Sequence, residues 1–290
     1  MNQFAIITDS GADLPKYLAD ELDVAVLPLH FTIKGKEYAD LPDRRDMEPH
    51  ELYDLLRQGE MGKTSALNAN DYIEIMTPIL EAGQDILVIA FSSGLSTTYQ
   101  SSVIAVEELK EKYPDRQICT VDTLAASLGQ GLLVWYASKM RSEGKSLEEV
   151  RSWLEENKLN LAHWFTVDDL NHLKRGGRVS ATTALVGTML SIKPVLHVDN
   201  EGHLISMSKA RGRAASLKAL VDKMEATAID PANQTVFISH GDSEEDAKKV
   251  AAMVKERFGV ETKVIDYVGP VIGCHAGPGV IALFFLGSER

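Results

Sequence analysis

Nothing in this 290-residue chain approaches the ~18 consecutive apolar residues that a membrane-spanning helix requires, so no stable membrane insertion is expected. Cysteine is nearly absent. Cys119 and Cys274 alone make no disulfide framework, which fits a reduced, cytoplasmic protein. Positive charge is in deficit: 30 Lys and Arg face 42 Asp and Glu, for a formal net charge of −12. Nucleic acid and anionic membrane surfaces need a basic footprint, so neither is expected as the main partner. The opening MNQFAIITDS lacks a basic n-region and a long apolar h-region, and reads as a first strand rather than a secretion signal. No phosphate-loop glycine pattern, H-E-x-x-H or paired-cysteine spacing occurs, so no nucleotide cofactor or metal is expected.

What is present is enough apolar material for a sizeable core, 44% of residues, in a length that suits two domains. Short apolar runs alternate with helical patterns through the first half. Residues 4–10, 22–35, 85–91 and 117–123 read as strands; 70–81, 95–112, 125–142 and 146–157 read as helices. The continuous run DILVIAF suits a parallel strand buried on both faces. This alternation implies an α/β domain with a parallel sheet over residues 1–160. After that the style changes. Two short strands flank a turn at Asn200-Glu201-Gly202, a helix is expected from Arg213 to Ala226, and residues 235–242, 262–268 and 279–287 read as strands. Ser243 and Asp246 have the spacing of a capping box for a helix ending at Phe258. Residues 161–290 are thus expected to form a second domain of mixed α and β structure.

In parallel sheets, ligands bind outside the carboxyl ends of strands. Two strands here end in polar groups, one at Thr8-Asp9-Ser10 and one at Ser92-Ser93-Gly94. Asp13 has a structural alternative, as N-cap of a helix with Leu14 and Pro15 in its first turn. Seven hydroxyls crowd the second stretch, FSSGLSTTYQSS: Ser92, Ser93, Ser96, Thr97, Thr98, Ser101 and Ser102. A nucleophile elbow needs glycine on both sides of the serine, and only Gly94 is present. One hydroxyl suffices for a helix cap. The excess favours an anion cradle at a helix N-terminus, suited to a carboxylate or phosphate.

Other pieces are available to it. Thr64 and Ser65 precede a helix, where they could also serve as caps. Arg211 follows a strand, as an anion partner or a solvated cation. His275 sits in the glycine-rich GPVIGCHAGPG, which permits close backbone approach. Beside it Cys274 reads as a small core residue, because neighbours on an extended segment face opposite ways. Lys174, Arg175 and Arg178 of LKRGGRVS read as the cationic end of a helix or as a basic turn that contacts a partner.

Together TDS (8–10), KTS (63–65), SSGLSTTYQSS (92–102), LKRGGRVS (173–180), IKPVL (192–196), KARGR (209–213) and GCHAGPGVIAL (273–283) resemble the DegV family of bacterial fatty-acid-binding proteins. The matches keep their order over nearly the whole chain. The resemblance implies an α/β fold of two domains, a parallel-sheet α/β/α domain and a mixed-sheet α/β domain, with a fatty acid buried between them. It further implies a non-enzymatic carrier that presents the carboxyl group to a separate ATP-dependent fatty acid kinase subunit. Carried over by motif, the carboxylate-binding residues fall on Thr64, Ser96, His275 and Arg211. Ser65, Ser93, Gly94, Thr97, Asp9 and Ser10 would support them, and Lys174, Arg175 and Arg178 would meet the partner. The chain departs from the family pattern at Ala66-Leu67, where Gln-Pro is usual, and at Thr97, where Gly is usual.

The physical terms are compatible with that role. Burying ~14 methylenes at roughly 0.8 kcal/mol each gives about 11 kcal/mol at most. Association and ordering cost about 4–15 kcal/mol, so head-group bonds decide net affinity and register. The apolar segment 183–192 is expected to form tunnel wall or ordinary core. A serine hydrolase acting on acyl esters is the principal alternative. A self-contained kinase would lack a recognisable nucleotide loop.

Overall fold

The computed structural model describes residues 4–179 and 192–290. Segment 183–192, expected above to form tunnel wall or ordinary core, lies outside the described residues except for Ile192. The first half runs β1 (Phe4–Asp9), α1 (Lys16–Glu21), β2 (Val24–Leu27), β3 (His30–Ile33), β4 (Lys36–Ala39), α2 (Pro49–Arg57) and β5 (Lys63–Ser65). It continues with α3 (Ala69–Glu81), β6 (Asp85–Ala90), α4 (Thr98–Lys112), β7 (Ile118–Asp122), α5 (Leu128–Ser142) and α6 (Leu147–Asn157). The second half contains β8 (Leu161–Thr166), α7 (Asn171–Arg175), β9 (Ile192–Val198), β10 (Leu204–Arg211) and α8 (Arg213–Thr227). It ends with β11 (Phe237–His240), α9 (Glu244–Phe258), β12 (Val264–Tyr267), α10 (Pro270–Ala276) and β13 (Ile281–Leu286).

Two main sheets result. The first is parallel, in the order β2-β1-β6-β7, with Ile7 opposite Ala25 on one side and Val88 on the other. The second is mixed, in the order β10-β9-β8-β13-β11-β12; β11 and β12 run parallel and its other pairs antiparallel. Helix α5 lies between them and is buried on nearly every side. One apolar core therefore runs from Ile6, Leu87 and Val121, through Leu128 and Leu132, to Phe165, Phe237 and Phe284. Every strand of the parallel sheet precedes residue 160 and every strand of the mixed sheet follows it. No helix among the described residues is long and apolar enough to cross a membrane.

Several local expectations are corrected. Residues 22–35 are not one strand: β2 joins the parallel sheet, whereas β3 joins a small antiparallel sheet, β4-β3-β5. Pro28 between them has no N–H to continue a ladder. Helix α4 begins at Thr98 rather than near Leu95, because the Leu95 and Ser96 N–H groups turn back onto the Ser92 carbonyl. Asp13 does not cap α1. It closes a short turn with φ +50°, and Pro15 precedes the helix. Ser243 makes no side-chain cap, and the Asp246 carboxylate instead accepts bonds from Arg213 and Lys249. Residues 270–276 are helix rather than glycine loop, with Pro270 in the first turn and Gly277 just past the end.

Candidate functional site

The order β2-β1-β6-β7 reverses between β1 and β6, so a crevice opens at their carboxyl ends. Asp9 is the last residue of β1, at the edge where that crevice opens. Its buried carboxylate accepts the Gly11 N–H at 3.0 Å and the Phe91 N–H at 2.8 Å. Burial raises its pKa to about 6 against those bonds. Ser10 Oγ accepts the Leu29 N–H at 3.0 Å and fixes the chain after β2. Both residues shape the loops beneath the cavity and are absent from its lining.

The hydroxyl-rich loop joins the two halves of the molecule. Ser92 is fully buried, and its Oγ donates to the Gly202 carbonyl, at the tip of the β9–β10 hairpin, at 2.9 Å. Gly94 packs so closely on that tip that a Cβ would stand 2.6 Å from the Glu201 carbonyl oxygen. Part of the hydroxyl and glycine excess is therefore spent on holding the hairpin. Ser96 takes no part in that contact. Its Oγ meets Thr98 Oγ1 at 2.9 Å and accepts the Thr98 N–H at 3.2 Å.

Beside the loop is a cavity of about 440 Å³. Its wall is mostly apolar and comes from both halves, with Leu29, Phe91, Phe165, Val271, Ile272 and Ala282 among its lining. Thr64, Ser96 and His275 all line it, delivered by β5, the β6–α4 loop and α10. Thr64 Oγ1 lies 2.8 Å from His275 Nε2. Burial, reinforced by the nearby Arg178 guanidinium, depresses His275 to about 4, so its ring is neutral at neutral pH. Cys274, the preceding residue on the same helix, is buried, and its Sγ packs close against Gly62.

The remaining sequence-selected residues separate. Ser65, Ser93 and Thr97 line the cavity; Gly94 and Arg211 do not. Arg211 ends β10 and is exposed. Arg178, selected as a partner contact, is half-buried and lines the cavity, whereas Lys174 and Arg175 are exposed. Sequence reasoning missed the lining from the mixed sheet: His163 and Phe165 on β8, Ser239 on β11 and Ala282 on β13. The period-2 spacing of His163 and Phe165 was the one signal that could have found them.

These groups suit the binding of an anion better than nucleophilic attack. The Thr64–His275 contact is a hydroxyl–imidazole pair, but an imidazole held near 4 is a weak base at neutral pH. Among the described residues no carboxylate bonds His275 to stabilise an imidazolium. Ser96 is bonded to Thr98 and not to an imidazole. Once the Thr64–His275 contact opens to a ligand, two hydroxyls and the Nε2–H tautomer of the neutral ring can each donate one hydrogen bond to a carboxylate.

The fold and site together define an α/β protein with a predominantly apolar cavity between a parallel sheet and a mixed sheet, on whose wall hydroxyls and an imidazole meet. The chain belongs to the DegV family: the model of that family, described as "Uncharacterised protein, DegV family", matches residues 3–288. A DegV domain-containing protein of Clostridium perfringens is 50% identical over 290 residues, covering 100% of this chain and 99% of its own. Among solved structures, a fatty-acid-binding DegV family protein from Thermus thermophilus is 30% identical, with a TM-score of 0.87 over 98% of this chain and 99% of its own. A stearic acid-binding protein from Eubacterium ventriosum is 25% identical, with a TM-score of 0.86 over 97% of each chain.

Proposed function

We propose that this chain is a carrier that binds a long-chain fatty acid in the cavity and presents its carboxyl group to a separate kinase subunit, which forms the acyl phosphate. The observation that carries the binding role is the convergence of Thr64, Ser96 and His275 on an otherwise largely apolar cavity. The solved relatives described as fatty-acid-binding support it. In this reading the carboxylate receives bonds from Thr64, Ser96 and His275. Arg178 supplies the nearby positive charge, a part first given to Arg211, because Arg178 lines the cavity and Arg211 does not. Asp9, Ser10 and Gly94 act by shaping the loops. The chain would divide near residue 160 into two domains that close over the acyl chain.

The experiment is extraction of lipid from denatured, purified protein followed by mass spectrometry. A co-purified long-chain fatty acid, or stoichiometric uptake of one by delipidated protein, is expected. Neither occurring overturns the reading. The presenting role rests on the basic turn, where exposed Lys174 and Arg175 lie beside the cavity-lining Arg178. Reversing Lys174 and Arg175 to Glu should impair ATP-dependent acyl-phosphate formation by an added kinase subunit while leaving fatty acid binding intact. Unchanged phosphorylation would remove this turn from the partner surface.

A further inference from the structure

The mixed-sheet wall of the cavity carries polar groups that take no part in the Thr64–His275 contact. His163 on β8 lines the cavity, is only 4% exposed, and its Nδ1 has no hydrogen-bond partner. Its surroundings are Phe165, Phe284 and the first turn of α5, where a Cβ on Gly129 would stand 3.5 Å from Nδ1. Ser239 on β11 also lines the cavity, with its Oγ 2.9 Å from Ser127 Oγ. Ser127 in turn donates to the buried Asp13 carboxylate. With Ser127's proton given to Asp13, Ser239 donates to Ser127 and keeps lone pairs for another donor.

The sheet register separates the two polar points. Ser239 faces Ala282, Ala282 faces Phe165, and His163 is two residues from Phe165 on the same face. That places their backbones roughly 12 Å apart across the wall. Purely apolar tail binding needs neither group, and leaving an imidazole unpaired in such a wall is unfavourable.

Resting on the fatty-acid reading above, we infer that His163 and the Ser127–Ser239 pair form a polar subsite selecting acyl chains that carry a hydroxyl group along the tail. A hydroxyl both donates and accepts, so it satisfies either tautomer of His163 or the free lone pairs of Ser239. A second carboxylate is disfavoured, because burial, with Arg290 and His197 adding to it, keeps His163 neutral. Which polar point is used depends on where along the chain the hydroxyl sits.

The test compares stearic acid with a positional series of its monohydroxylated derivatives, by competition on delipidated protein. One or more positions should bind about fivefold tighter than the parent, as one added net hydrogen bond provides. For a position served by His163, His163→Phe should abolish that preference while the parent acid still binds. The wild-type His163 imidazole resonances should also shift with the preferred hydroxy acid and stay in place with stearic acid. That readout stands if His163→Phe fails to fold. If stearic acid binds and no hydroxylated derivative binds tighter, the subsite inference is overturned and the carrier reading survives. If no acid binds, both fall.

Discussion

Thr64→Val keeps the shape of the side chain and deletes one hydroxyl from the proposed carboxylate site. In the native protein that hydroxyl is half-buried and 2.8 Å from His275 Nε2. Its loss removes one neutral hydrogen bond, worth about 1 kcal/mol of stability. Against a bound carboxylate the same hydroxyl makes a bond to a charged acceptor, worth about 1.5–3 kcal/mol. Affinity should therefore fall roughly 10- to 100-fold, with only a small change in folding stability. Displacement of a fluorescent acyl probe from delipidated protein measures the first effect; thermal unfolding of the same samples measures the second. Thr64→Ser restores the donor and should recover most of the affinity. The reasoning is refuted if Thr64→Val binds within about twofold of wild type, since that separates affinity from the hydroxyl.

Other outcomes follow from buried groups and close contacts. Asp40 is buried, and its pKa is raised from 3.8 to about 7, chiefly by burial. A carboxyl so raised contributes stability that is fully present below its unfolded pKa and lost as pH rises through about 7. Asp40→Asn mimics the protonated form, so it should stabilise the protein on the alkaline side by at most about 4 kcal/mol and change little in acid. A thermal-unfolding pH series in which mutant and wild type stay parallel would count against this. Gly94→Ala places a methyl against the Glu201 and Gly202 backbone, so it should cost about 1–3 kcal/mol and displace the loop that carries Ser96. A variant with native unfolding temperature and native acyl affinity would show that the contact yields freely.

The regular elements were legible where local chemistry decides them. β6 and β7 appear as apolar runs because both faces of the parallel sheet are covered. The start of α6 appears because Ser146 and Glu149 form a reciprocal cap. The β9–β10 hairpin appears in its turn residues. What sequence left closed depends on long-range packing. Residues 22–35 carry one continuous strand-like signal, and only the tertiary fold sends β2 and β3 to different sheets. The helix that bears His275 was masked by glycines usually found in loops. Within the site, Thr64, Ser96 and His275 were picked out by motif, and they share one cavity. The separation of Arg178 from Arg211, like the mixed-sheet wall with His163 and Ser239, rests on contacts between residues far apart in the chain.

The central claim is that a fatty acid lies with its carboxyl end at Thr64, Ser96 and His275. Nuclear Overhauser contacts from a fatty acid isotopically labelled at its α-methylene test this most directly. The account predicts contacts from that methylene to the side chains of Thr64, Ser96 and His275, with the terminal methyl elsewhere on the cavity wall. Contacts from the terminal methyl to these three residues, with the α-methylene elsewhere, would contradict it.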